Sequence, residues 1–295
     1  MSLPNLHTLK LRGIPRNDDS NVLSSFQRVV SGSSLRTLQL AFDRSSGNPT
    51  YISAFAAVLP TSLVSLDILW CLEDPLDPSV AAVLPCARLP FDSPTIQRLR
   101  LHRSPEAVAL LNSSACPIDL GSIQHLDYRH TVHPALSSFL RRIGRTVDRI
   151  TLAPSDSTLS KFEFHMLPRL VHIDCWLTEE LIPDVIERLP VANCIHSLRV
   201  GTSHDTWQDA SIEPELDMQR LGSDFEDAIL RKLPYLTTVV VEVHILSALG
   251  QPNYPIFDAT AVAASIRKSM PRLSSTQILS VCHVHDKYFR AGQRR

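Results

Sequence analysis

The six cysteines, at positions 71, 86, 116, 175, 194 and 282, include no Cys-x-x-Cys pair. That spacing offers neither a zinc module nor a dithiol redox centre and leaves reduced, mostly buried thiols as the reading. Glycine is scarce too, nine in 295 residues, which argues against a many-stranded barrel with tight turns. Charge of one sign is missing: 29 basic and 30 acidic residues leave a formal net charge of −1. There is then no global attraction to nucleic acid or to an acidic membrane surface, and any charge-driven recognition has to be local. No run approaches the ~18 apolar residues of a membrane span, and MSLPNLHTLKLRG at the N-terminus lacks the apolar stretch of a secretory signal. A cytoplasmic or nuclear location is expected. Glycine-rich phosphate loops, Gly-x-Ser-x-Gly elbows and His-Glu-x-x-His helices are also missing, so the common catalytic signatures fail. The reading is a protein that is not an enzyme and has no cofactor and no metal.

What the chain does have is apolar bulk, 44% of residues, and a repeat. The pattern apolar-x-x-apolar-x-apolar recurs as LHTLKL from Leu6, LRTLQL from Leu35, LVSLDI from Leu63, IQRLRL from Ile96 and IQHLDY from Ile123. It continues as VDRITL from Val147, LVHIDC from Leu170, IHSLRV from Ile195 and LTTVVV from Leu236, with a degenerate tenth copy near Leu273. Each copy alternates as a half-buried strand does.

Between the copies the period changes to that of a helix. Leu136, Phe139, Leu140 and Ile143 fall at i, i+3, i+4 and i+7. Val22, Phe26, Val29 and Val30 make a similar stripe, as do Leu181, Ile182, Val185, Ile186 and Leu189, and Phe225, Ile229, Leu230 and Leu233. Ser104 before Pro105 suits an N-cap followed by a first-turn proline, and Ser223 with Glu226 reads as a capping box. Helix ends are marked by Leu-Pro or Met-Pro at Leu59, Leu84, Leu167, Leu189, Leu233 and Met270, because proline disfavours helical backbone in the residue before it. Each unit therefore reads strand, loop, helix, proline.

These units resemble leucine-rich repeats. The helix-Leu-Pro-x-Leu style of RKLPYLTTVVV and HMLPRLVHIDC is similar to the repeat regions of F-box proteins abundant in mushroom-forming fungi. In the leucine-rich family an Asn or Cys usually stands eight positions after the first motif leucine and satisfies backbone groups of the turning loop. Here that position holds Ile14, Asp43, Cys71, Ser104, Thr131, Ser155, Thr178, Ser203 and His244. Ser104 and Thr178 could alternatively cap following helices. The resemblance implies an α/β horseshoe solenoid, with a parallel sheet on the concave face and helices on the convex face. It would span residues 1–284 in about nine to ten units, carrying an acidic insertion at 201–222, with a basic tail at 285–295.

The phase of the motif assigns the faces. Positions one, four and six point inward, and positions three, five and seven face a partner. Strands one to three then present Thr8, Lys10, Arg12, Thr37, Gln39, Ala41, Ser65, Asp67 and Leu69, a mixed set. The middle is richer. It presents Arg98, Arg100 and His102, then His125, Asp127 and Arg129, then Arg149, then His172, Asp174 and Trp176, then Arg199. These eleven residues are the candidate partner-binding site, since arginine forks grip carboxylates or phosphates and tryptophan supplies rigid contact area. A solvated face on which Asp127 and Asp174 balance neighbouring arginines is the plainer alternative.

His125-x-Asp127 and His172-x-Asp174 each copy the iron-binding triplet of Jumonji-like oxygenases, but that chemistry belongs on a double-stranded barrel. Their place in the repeat register makes the oxygenase a distant alternative. Arg141, Arg142 and Arg145 fall near a helix end, where cations suit the dipole, and nucleic-acid binding is disfavoured. Two stretches interrupt the repeats: a proline-rich one at 71–95 and the acidic 201–219 with Trp207, the latter a secondary partner surface.

By resemblance, the expected function is non-catalytic protein recognition, like the substrate-binding repeats of an F-box ubiquitin-ligase subunit. No F-box is expected within this chain, since the first repeat begins at Leu6 and leaves no room for a module of some forty residues. A ligase adaptor is therefore expected as a partner only of a longer form. The alternative is a leucine-rich-repeat scaffold unrelated to ubiquitin. Either would be a monomer holding a protein target, with no membrane partner.

Overall fold

The computed structural model describes residues 3–14, 20–31, 33–42, 55–70, 93–113, 116, 118–129, 134–153, 162–176, 181–204, 214–245 and 259–285. They fall into two compact units, Met1–Arg169 and Leu170–Arg295. The first contains strands β1 (Thr8–Ile14), β2 (Thr37–Phe42), β3 (Ser65–Trp70), β4 (Arg98–His102), β5 (His125–Arg129) and β6 (Arg149–Ala153). With them run helices α1 (Ser20–Val30), α2 (Pro105–Asn112) and α3 (Leu136–Ile143) and a 3-10 turn at Phe164–Met166. The second unit contains β7 (His172–Trp176), β8 (Ser197–His204), β9 (Thr238–Ile245) and β10 (Leu279–His285). Its helices are α4 (Leu181–Glu187), α5 (Pro214–Lys232), α6 (Ala259–Ser269) and α7 (Pro271–Ser275).

In both units the strands follow one another in sequence order and pair in parallel. This α/β arrangement follows from the repeat: a strand, a return through a helix, and the next strand beside it. Each of the nine clear motifs starts its strand at its own third residue, from Thr8 to Thr238. The register is equally regular, so that Thr8, Thr37, Ser65, Arg98, His125 and Arg149 stand opposite one another in a single row. One irregularity interrupts it, at Gly13, whose φ of 65° is open to glycine at little cost. The resulting bulge sets Ile14 opposite Phe42 and turns it inward, to 4% exposure.

Burial confirms the phase. In repeats two to eight every residue at motif positions one, four and six is at most 4% exposed, from Leu35 through Val200. At about 1.5–3 kcal/mol per fully buried aliphatic side chain, these positions supply most of the cohesion. Helices cover them: Phe26 of α1 lies 4.9 Å, centroid to centroid, from Phe55, which meets Phe42 of β2 edge-on at 6.2 Å. Tyr128 of β5 packs on Phe162, and Phe162 on Phe164 of the 3-10 turn. The α3 stripe, Leu136, Phe139, Leu140 and Ile143, is wholly buried. Gly144 ends α3 where the backbone oxygen of Met166 comes so near that a Cβ would collide with it.

Several local expectations change. The tenth copy does not sit at Leu273, which lies in α7; β10 begins at Leu279, paired with Val239, the fourth residue of the ninth motif. Met270-Pro271 ends α6 as read, but Pro271 also starts α7. Leu230 is exposed while Ala228 takes the buried place beside Ile229. Ser223 is inside α5 and begins no helix. Glu226 does cap a helix, but another one: its Oε1 accepts the Leu273 N–H at 2.8 Å, at the third residue of α7. Of the acidic stretch, 201–204 complete β8 and 214–222 open α5, whereas Trp207 and the rest of 205–213 lie outside the described residues. So do most of the proline-rich stretch, from 71 to 92, and the tail from 286 onward.

Candidate recognition surface

Strand residues at positions three, five and seven share the sheet face opposite the leucine layer, and each unit has its own version of that face. In the first unit it bears six cations, Lys10, Arg12, Arg98, Arg100, Arg129 and Arg149, against two carboxylates, Asp67 and Asp127. Neither carboxylate is left to solvent. Asp127, 1% exposed, accepts from Arg100 Nε at 2.6 Å, and from Arg129 through Nε at 2.6 Å and Nη2 at 3.1 Å. Arg100 also reaches Asp67 through Nη1 at 3.3 Å. Arg100 and Arg129 are therefore struts: removing either strips donors from a buried carboxylate.

Asp67 illustrates the balance on this face. Burial lifts its carboxyl above the ordinary carboxylate range, while Arg100, then Arg98, and more weakly Lys10 oppose the lift and Asp127 adds to it. His125, next to Asp127 in the chain's alternation, meets Thr151 Oγ1 through Nε2 at 3.0 Å. With its carboxylate oxygens engaged by guanidinium groups, Asp127 is turned to the arginines and not to a shared ligand with His125. Among the described residues, no three His, Cys, Asp or Glu side chains come together as metal ligands.

The second unit's face is different in kind. Arg199 is its one cation among the strand positions, set against Asp174 and Glu242, and Arg199 Nε and Nη2 both lie 2.5 Å from Glu242 Oε2. Hydrogen bonding to Glu242 is the main reason that the Arg199 guanidinium is held even more firmly protonated than usual. Asp174 is 8% exposed, and His172 on the same strand is exposed. Trp176 stands opposite Gly201 and its ring lies over that glycine so closely that a Cβ there would collide with it. Glycine at 201 thus serves close approach, a cross-strand pairing in which the ring covers bare backbone.

The eleven candidate residues therefore separate. Arg98, Arg100, His102, His125, Asp127, Arg129 and Arg149 share the face of the first unit; His172, Asp174, Trp176 and Arg199 share that of the second. Sequence reasoning passed over Asp67, the second carboxylate held by Arg100, and Glu242, the partner of Arg199. It also passed over Lys10 and Arg12, although all four occupy the same motif positions as the residues it chose. The available signal was the repeat register, which sets Asp67 opposite Arg100 and Glu242 two residues along from the row of Arg199.

Two other readings gain a definite place. Ser104 is the residue before α2 but makes no side-chain cap; its Oγ donates to the carbonyls of Ile68 and His102, at 3.0 and 2.8 Å. That is the loop-satisfying role which the eighth-position ladder implied. Of the other ladder side chains, only Ile14 lies among the described ones. Arg142 is not held out for nucleic acid: its Nη1 donates to the carbonyls of Leu111 and Ser113 at the end of α2, both at 2.8 Å. Among the cysteines, Cys116 and Cys175 are buried, and burial pushes both thiols up; Cys194 is exposed. Cys71 and Cys86 fall outside the described residues.

No family model and no curated protein matches this chain.

Proposed function

We propose that the chain is a non-catalytic protein-recognition module, a leucine-rich-repeat horseshoe whose sheet face in the first unit holds a protein target. The observation that carries this reading is the six-strand parallel register, which gathers six cations against two carboxylates on one face of a leucine-packed layer. Rigid elements hold contact residues in place at little entropic cost, and stacked repeats offer extended surfaces of this sort. The resemblance to F-box repeat regions makes a ubiquitin-ligase substrate receptor the leading version, with adaptor binding assigned to a longer form. A scaffold role unrelated to ubiquitin uses the same face.

Affinity capture from the source cells tests the face. Thr37→Trp with Ser65→Trp places two bulky rings on it, away from the buried layer. The captured proteins should fall at least about tenfold, as loss of one well-packed contact region does, with the melting temperature kept. Unchanged capture by a folded variant overturns the reading. Ligase subunits recovered with a longer form favour the receptor version, and their absence there favours the scaffold.

A further inference from the structure

We infer that the ligand of the first unit's face is an acidic, extended peptide segment, gripped between β1 and β4 and not over the arginine-rich middle. This rests on the recognition reading above and names its chemistry. Six cations share the face, but Arg100 and Arg129 are spent on Asp127 and Asp67. Lys10, Arg12 and Arg98 are different: all three are exposed, and none of their side chains has a hydrogen bond or ion pair among the described residues. Lys10 and Arg98 both act on Asp67, which is already held by Arg100.

The floor between them is built for a chain to lie on. β2 and β3 contribute Thr37, Gln39, Ala41, Ser65 and Leu69, all half-buried, uncharged and mostly short, and Asp67, whose carboxylate is held by Arg100. Cations therefore rise on both sides of a low strip whose one carboxylate is already paired: Lys10 and Arg12 on β1, Arg98 on β4. Three strand spacings separate β1 from β4, about 14 Å, which an extended peptide crosses in about four residues. Carboxylates about four residues apart on such a peptide would meet Lys10 and Arg98 together. Arginine can take its carboxylate through two parallel hydrogen bonds, whereas lysine acts as a point charge.

Nucleic acid would carry negative charge as well, but the floor does not suit it. Single strands are held by aromatic side chains on which bases stack, and none of the six floor residues is aromatic. Three cations would also neutralise few phosphates, in a chain whose net charge is −1.

The test uses the full chain and a short fluorescein-labelled peptide with glutamate at every fourth position, serine and glycine between. Its analogue has glutamine in place of glutamate. Anisotropy at low salt should show binding of the glutamate peptide, and weaker binding as salt rises. Lys10→Glu with Arg98→Glu should lower the affinity about tenfold or more. Lys10→Gln with Arg98→Gln should lower it less and serves if the reversal does not fold. Arg188→Glu with Lys268→Glu removes the same net charge from exposed positions of the second unit, just after α4 and in α6, and should leave binding unchanged. The inference is overturned if the glutamate peptide does not bind, if the glutamine analogue or a single-stranded oligonucleotide binds as tightly, or if both reversals act alike. Capture that is lost with Thr37→Trp and Ser65→Trp but untouched by the Lys10 and Arg98 variants keeps the face and rejects the acidic ligand.

Discussion

Tyr128 occupies the sixth motif position, where the neighbouring units place Leu101 and Leu152, and its phenol extends farther than either. The side chain is fully buried and its hydroxyl has no hydrogen-bond partner among the described residues. Burial raises its pKa, since no group nearby offsets the loss of water from a phenolate. A buried hydroxyl without a partner costs stability that phenylalanine, with the same ring, does not incur. Tyr128→Phe should therefore stabilise the protein by about 1 kcal/mol, read as a higher denaturant midpoint at unchanged slope. A lower midpoint would mean that the hydroxyl is satisfied. Sequence reasoning placed Tyr128 in the core, because the period put it there. The missing partner was not legible, because it depends on which atoms from Phe162 and the layer above arrive at the ring's far end.

At the level of the element, α7 shows what a local signal cannot say. Ser223 and Glu226 have the spacing of a capping box, yet α5 runs straight through them. Glu226, 3% exposed, uses its carboxylate instead on the backbone of α7, 47 residues on, and accepts from Arg272 as well. A carboxylate at a helix start satisfies free N–H groups and suits the positive end of the dipole. Glu226→Ala should cost about 1–2 kcal/mol, the usual range for a lost N-terminal cap. Hydrogen exchange at Leu273 should quicken before the rest of the second unit is affected, and Glu226→Gln, which keeps an acceptor, should recover part of the loss. Equal exchange in all three proteins would show that the contact contributes nothing. The start of α5 was hidden for a related reason. Its first turns are acidic and contain Gly222, which reads as loop, but Gly222 lies where Ser269 of α6 packs too closely for a Cβ.

For the molecule as a whole, the decisive quantity is the phase of the motif. A shift by one residue would send every leucine outward and every arginine inward, so the assignment is strongly specified. Leu126, on β5, has no exposed surface. Leu126→Asp would put an unpaired carboxylate in the shared layer, where its desolvation cannot be offset. Stability in a stacked array is carried by nearest neighbours, so the damage spreads to adjoining repeats. Soluble yield and the far-ultraviolet circular dichroism signal should both collapse. Normal melting would refute the phase and, with it, the face on which both functional proposals stand.

The amino-acid sequence by itself determined the first nine strands, their phase and the side of the sheet on which each side chain emerges, because a period of two leaves only two choices and leucine burial selects one. It also supplied the charges. Only the tertiary structure decided how those charges are used. Arg100 reaches Asp127 from the neighbouring strand, beside Arg129 of Asp127's own strand, and Arg199 finds Glu242 at a distance of 43 residues. An ion pair between repeats depends on the spacing and reach of side chains brought together by strand pairing, and that pairing is not written in any single repeat. The cations left over, at Lys10, Arg12 and Arg98, become visible only once those pairs have been made.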